Sequence, residues 1–251
     1  MYHHLLVNGT VSDHKFVGTI NMNDRNAVFD LNGLVNITPN QEHYKFHLNV
    51  QGANLQKLNL CKNDIRVRFN AISDLKGNSM DNMVGKAKIS NLILVSNGQK
   101  YVLDSIFVTS VNEPNKSIFN FNSALVDIKY NGTIPPTAVP AVLTSYINNY
   151  FPFFDIKQNR KETKASKFNF EIQLHNHPIL SEVLMPQLKV FQPEIIKGNF
   201  DSQKNELKLN GVITRMIYGT TEIKDLVMDM NSDSTTLNYT ISCSTPLYRH
   251  R

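Results

Sequence analysis

Strict alternation of apolar and polar residues, repeated along most of the chain, constrains this sequence more than any other feature. In YKFHLNV, Tyr44, Phe46, Leu48 and Val50 fall on one side, and Lys45, His47 and Asn49 on the other. IRVRF sets Ile65, Val67 and Phe69 against Arg66 and Arg68. KFNFEIQLH sets Phe168, Phe170, Ile172 and Leu174 against Asn169, Glu171, Gln173 and His175. The same spacing recurs at Val126, Ile128 and Tyr130, at Leu207 and Leu209, and at Leu237, Tyr239, Ile241 and Cys243. Successive side chains of a strand point to opposite faces, so this period predicts antiparallel sheet with one dry face and one wet face. Asn97-Gly98 and Pro114-Asn115 supply the turn chemistry between such strands.

One stretch breaks the period. From Thr137 to Phe151, Val139, Val142, Leu143, Tyr146, Ile147, Tyr150 and Phe151 recur at steps of three and one, a single face of a helix. Thr137 is placed to cap it, Pro140 is tolerable in a first turn, and Pro152 ends it. At roughly 22 Å the helix is too short to cross a bilayer core. Its polar face, with Thr144, Ser145, Asn148 and Asn149, has no cation for lipid headgroups. So short a helix is stable only when docked, and the flanking sheet offers the apolar surface for a lid or plug.

The 251 residues are 41% hydrophobic and 19% charged, which describes a folded chain. The formal charge of +5 is mild. Its one concentration, Lys157, Arg160, Lys161, Lys164 and Lys167, reads as a solvated linker. That linker divides the chain into a first β module at 1–131, helix and linker at 132–165, and a second β module at 166–251. The halves echo each other. YKFHLNVQGANLQKLNL is matched by FNFEIQLHNHPILSEVLMP, and NGQKYVLDSIFVTS by YGTTEIKDLVMDMN, with Asp104 and Asp225 in corresponding places.

Catalytic signals are missing from the pattern. There is no phosphate loop, dinucleotide fingerprint or nucleophile elbow, so no catalytic residue is assigned. His175 and His177 lack a third ligand, and no metal or other cofactor is expected. Cys61 and Cys243 read as packed free thiols. Aromatic and basic residues fall on opposite strand faces, which argues against nucleic acid. The opening MYHHLLVNGT shows no signal peptide or membrane anchor.

The order and spacing of several segments resemble the middle region of TamB-type translocation and assembly module proteins of the AsmA-like group, closest to the Bacteroidetes forms. These segments are FDLNGLVNITPNQEHYKFHLNVQGANLQKLNL, IRVRFNAISDLKGNSMDNMVGKAKISNLIL, NGQKYVLDSIFVTS and TIPPTAVPAVLTSYINNYFPFF, with FNFEIQLHNHPILSEVLMPQL and NELKLNGVITRMIYGTTEIKDLVMDM following. The resemblance covers roughly residues 10 to 243. It implies a mainly β fold, an extended antiparallel sheet curled into a taco-like trough with an apolar interior, carrying one or two short amphipathic helices. It further implies a central fragment of a periplasmic, inner-membrane-anchored envelope protein. Phospholipid passage between the inner and outer membranes, and outer-membrane protein assembly with an Omp85-class barrel, are the implied roles. On this resemblance the anchor such a protein carries is expected outside this fragment.

On this reading the protein is not an enzyme. Phe46, Leu48, Val50, Ile65, Val67, Phe69, Phe168, Phe170, Ile172, Leu174, Leu207, Leu209, Leu237, Tyr239 and Ile241 line a groove for phospholipid acyl chains. The helix residues Val139 to Phe151 form its lid. The competing expectation is a closed β-sandwich, an adhesive or structural module whose apolar faces are a sealed core and whose partner is a protein or carbohydrate.

Overall fold

The computed structural model describes residues 4–150 and 165–244. The alternating segments form strands β1 (Leu5–Ser12), β2 (Lys15–Asp24), β3 (Ala27–Asn36), β4 (His43–Asn54), β5 (Ile65–Lys76), β6 (Val84–Ser96) and β7 (Gln99–Glu113). They continue as β8 (Lys116–Asn122), β9 (Val126–Gly132) and β10 (Lys167–Leu174), then β11 (Leu188–Pro193), β12 (Ile195–Asp201), β13 (Glu206–Tyr218), β14 (Thr221–Ser232) and β15 (Leu237–Ser244). All fifteen belong to one open antiparallel sheet that does not close into a barrel. Each strand pairs with its neighbours in sequence, except that β10 pairs with β12 and β11 pairs with β13. The two-sheet sandwich is therefore not the fold.

Local chemistry explains the order. Two-residue turns join β1 to β2 and β6 to β7, where Asn97 and Gly98 take φ of +51° and +80°. These are the angles of a primed turn, whose twist matches that of the strands it joins. β11 and β12 lie end to end along β13, interrupted at Pro193, which has no amide to donate. Glu194 bridges the break by donating its amide to the Val212 carbonyl (2.9 Å).

By spatial contact the chain divides into two compact units. The first comprises Met1–Ser110 and Phe121–Ala124, the second Val111–Asn120 and Leu125–Arg251. Each repeats one plan. After β4 the chain makes a turn in which the Leu60 amide donates to the Leu55 carbonyl (2.8 Å). After β10 the Met185 amide donates likewise to Leu180 (2.6 Å), closing a π-helical turn over Leu180–Leu184. In β7, buried Ser110 faces Gly85 and donates to the Met83 carbonyl (2.8 Å). In β14, buried Ser232 accepts the Leu207 amide (2.8 Å) beside the Asn205 carbonyl, at the same register position. This register corrects the sequence comparison by one residue. Asp104 corresponds to Leu226, and Asp225 takes φ +50° at a bulge in β14.

The predicted helix exists as α1 (Val139–Asn148). It begins later than the sequence places it, because Pro136 opens a 3-10 turn over Pro136–Ala138 that contains Thr137 and leaves Ala138 at the N-cap. Pro140 lies in the first turn, where no intrahelical amide is lost. Tyr146 is buried, and Val139, Val142, Leu143, Ile147 and Tyr150 are half-buried; Phe151 and the cationic residues 157–164 lie outside the described residues. The Tyr146 ring meets Phe200 edge-on at 4.9 Å, and Phe200 contacts Phe168 at 5.1 Å. Its hydroxyl lies 2.6 Å from the Asn205 carbonyl and 2.8 Å from Ser232 Oγ. The Tyr150 hydroxyl donates to the Asp233 carbonyl (2.9 Å) and lies 3.1 Å from that of Tyr146. A hydroxyl has one proton, so Tyr146 gives its own to Asn205 and receives one from Ser232.

Tyr146→Phe keeps the ring on Phe200 and removes only this polar anchor, leaving the Asn205 carbonyl short of a donor. Urea unfolding is expected to show a loss of about 1–3 kcal/mol, with amide exchange in α1 accelerating first. Unchanged stability and exchange would mean that ring packing alone holds the helix.

Candidate functional site

Cross-strand pairing sorts the apolar residues into rows, because partners in register share a face. In the first unit one row runs Phe29, Val50, Phe69, and the next Leu31, Leu48, Ala71, Ile89, Ile106. Phe46 lies in the adjoining row between Gly33 and Ser73. Val67 pairs with Ala53 and Leu94, and Ile65 lies beyond it on the same side of β5. All six residues assigned to the groove in this unit thus share one face.

The second unit arranges its nine in parallel rows. Phe168, Phe200, Leu207, Ser232 and Leu237 form one. Phe170, Gly198, Leu209, Met230 and Tyr239 form the next, and Ile172, Ile196 and, beyond Gly211, Met228 and Ile241 the third. Leu174 pairs with Val126 in a fourth. The Phe170 ring lies against Gly198, where an added Cβ would collide with it. An alanine there would force the ring off the sheet.

These residues are not equally open. Phe168, Phe200 and Leu207 are almost wholly buried in the aromatic cluster beneath α1. The strand end remote from α1 is occupied by the π-helical turn, with Ile179 and Leu188 buried. Between the two ends, Phe170, Ile172, Ile196, Met228 and Met230 remain half-exposed. Tyr239 and Ile241, on the edge strand β15, are 56% and 61% exposed. In the first unit the buried residues Ala27, Val50, Tyr101 and Leu103 gather toward the turn after β4, while Leu31, Leu48, Ile89 and Ile106 stay partly open. The arrangement is a plugged end and an open apolar middle.

The wet face is electrostatically paired. His43 Nε2, 2.8 Å from Asp74 Oδ1, holds that carboxyl below the usual range. Lys129 and Lys197, at 3.3 and 3.4 Å, do the same for Glu171. His175 lies 3.0 Å from Asp127, and His177 Nδ1 accepts the Ile179 amide (3.2 Å). Among the described residues no group of three or more metal-ligating side chains occurs. Both cysteines are free; Cys61 is half-buried, but Cys243 is exposed rather than packed because β15 is an edge. Nor is this face uniformly polar, since Ile72, Val102 and Phe107 are exposed on it.

Sequence reasoning did not list Phe200, the most buried residue of the cluster. The signal was the alternation Ile196, Gly198, Phe200, hidden because a glycine occupies the middle apolar position. It also passed over Ile179 and Leu188, which lie outside regular alternation.

The fold defines a class: a mostly β protein built on one open antiparallel sheet, with an apolar face in each unit. Beyond that class, neither a family model, nor a curated protein, nor a solved structure matches the chain.

Two titrations bound the stability of the α1 dock. The Tyr146 hydroxyl and partial burial push the Tyr150 phenol up to about 12. The amides of Thr235 and Thr236 pull the Asp233 carboxyl down to about 2. The phenol's contribution is complete below its ordinary value of 10 and is lost as pH rises to about 12. The carboxylate's is complete above its ordinary 3.8 and is lost as pH falls to about 2. Burial also raises the Tyr130 phenol, so tyrosinate absorbance should show late titration from both residues, with the Tyr150 share lost in Tyr150→Phe and near-ultraviolet dichroism changing in step. Late titration unchanged in Tyr150→Phe would contradict the dock.

Proposed function

We propose that this chain is a non-catalytic segment that shields phospholipid acyl chains along the open apolar face of its sheet. The observation that carries the reading is the set of half-exposed rows through Phe170 and Ile172, lying between α1 and the π-helical turn. Every buried CH2 of a guest chain is worth ~0.8 kcal/mol, so a partly covered acyl chain would be retained. A contiguous, partly exposed apolar face marks a partner or a ligand. The resemblance to TamB-type proteins supports placing the segment in the periplasm, within an inner-membrane-anchored protein. There it would support phospholipid transport between the membranes and outer-membrane protein assembly with an Omp85-class barrel. Among the described residues no helix is long and apolar enough to cross a membrane.

Photo-crosslinking tests the reading directly. A probe at Ile172 should capture phospholipid, while one at its polar neighbour Gln173 should not. Ile172→Arg should abolish lipid transfer between vesicles, and Gln173→Arg should leave it intact. Capture at neither position, or equal tolerance of both arginines, would remove lipid from the account.

A further inference from the structure

The polar face of the second unit carries a feature that lipid shielding does not use. One cross-strand row reads Asn131, Asn169, Asn199, Lys208, Asn231 and Asn238 from β9 to β15. Asparagine is disfavoured in strands, yet five occupy strand positions side by side. Among the described residues their side-chain amides make no hydrogen bond to protein and face outward. The row therefore costs strand propensity without an intramolecular return.

The face is also concave there. A depression of about 510 Å³ is lined by Asn131, Asn169 and Asn199, and a second of about 160 Å³ adjoins it through the same three residues. Five lysines, Lys116, Lys129, Lys167, Lys197 and Lys208, rim the pair, against a single lining glutamate, Glu171. That glutamate is already held by Lys129 and Lys197, and Lys208 makes no ion pair among the described residues.

We infer that this groove binds an acidic oligosaccharide laid across the strands. A primary amide offers two donors and an acceptor, which matches the hydroxyls of a sugar ring. Strands repeat every ~4.8 Å, close to the length of one sugar unit, so successive asparagines meet successive rings. The lysines supply the charge complement for carboxylates on the chain. Single-stranded nucleic acid fits less well, because among the described residues no aromatic ring projects into this face for bases to stack on. Tyr130 and Phe170 contribute to the rim from strand positions whose side chains turn to the apolar face.

The test uses the whole chain and fluorescently labelled oligogalacturonate, with a neutral cello-oligosaccharide and oligo-dT as comparators. Oligogalacturonate should bind best. Asn169→Ala with Asn199→Ala should weaken it about tenfold, the loss of one or two hydrogen bonds. Lys197→Gln with Lys208→Gln should weaken it and flatten its salt dependence. Asn49→Ala with Asn70→Ala, on the polar face of the first unit, should change nothing. Circular dichroism checks that each variant is folded. No binding of oligogalacturonate at low salt would overturn the inference. So would asparagine variants that bind normally while oligo-dT binds equally well, since the surface would then be a non-specific anion patch. Lipid crosslinking at Ile172 reads the opposite face, so the two proposals fail separately.

Discussion

Register is the constraint on which everything else in this protein depends. The side-chain period of a strand is two, so a slip of one residue between β4 and β5 would set Phe46 against Asp74 and Val50 against Asn70. The same slip between β10 and β12 would bring the polar Asn169 beneath α1 in place of Phe168. Two-residue turns fix register where they join β1 to β2 and β6 to β7, and the paired aromatic and aliphatic rows reinforce it along the strands. The repeated Ser110 and Ser232 contacts pin equivalent points of the two units, each beside the carbonyl of the residue two before its cross-strand partner.

A sheet with one dry face ordinarily buries it against a second layer. Here no second sheet covers it among the described residues, and the burial is supplied locally by the connections between strands. Within the second unit α1 covers Phe168, Phe200 and Leu207, and the π-helical turn stands at the other strand end. Within the first, the turn after β4 takes the corresponding place beside Val50 and Leu103. Stability is thus concentrated at strand ends, which leaves the middle rows partly open. The core is incomplete at the half-buried Phe170 and Ile172.

The two faces use different chemistry for the same geometric reason. Alternation that sends Phe170 and Ile172 to one side must send Asn169, Glu171 and Gln173 to the other. On the polar side, lysines satisfy Glu171, Arg215 satisfies Glu222, and His43 satisfies Asp74. The asparagine row stands apart because its amides have no such partners among the described residues.

Much of the fold was legible before the structure. A period of two across many segments demands antiparallel sheet with a wet and a dry face, because backbone pleating admits nothing else. The three-and-one spacing around Tyr146 demands an amphipathic helix. The sequence also placed fifteen residues, assigned there to a groove, on apolar strand positions, which the cross-strand rows bring to one side within each unit. What periodicity does not contain is distance between strands far apart in sequence. Only the tertiary structure decided that the sheet stays open and that Phe200 is the helix's seat. It alone also joined Asn131, Asn169, Asn199, Asn231 and Asn238 into one row. The reason is that alternation fixes which face a residue occupies, whereas pairing register and the docking of connections fix its neighbours.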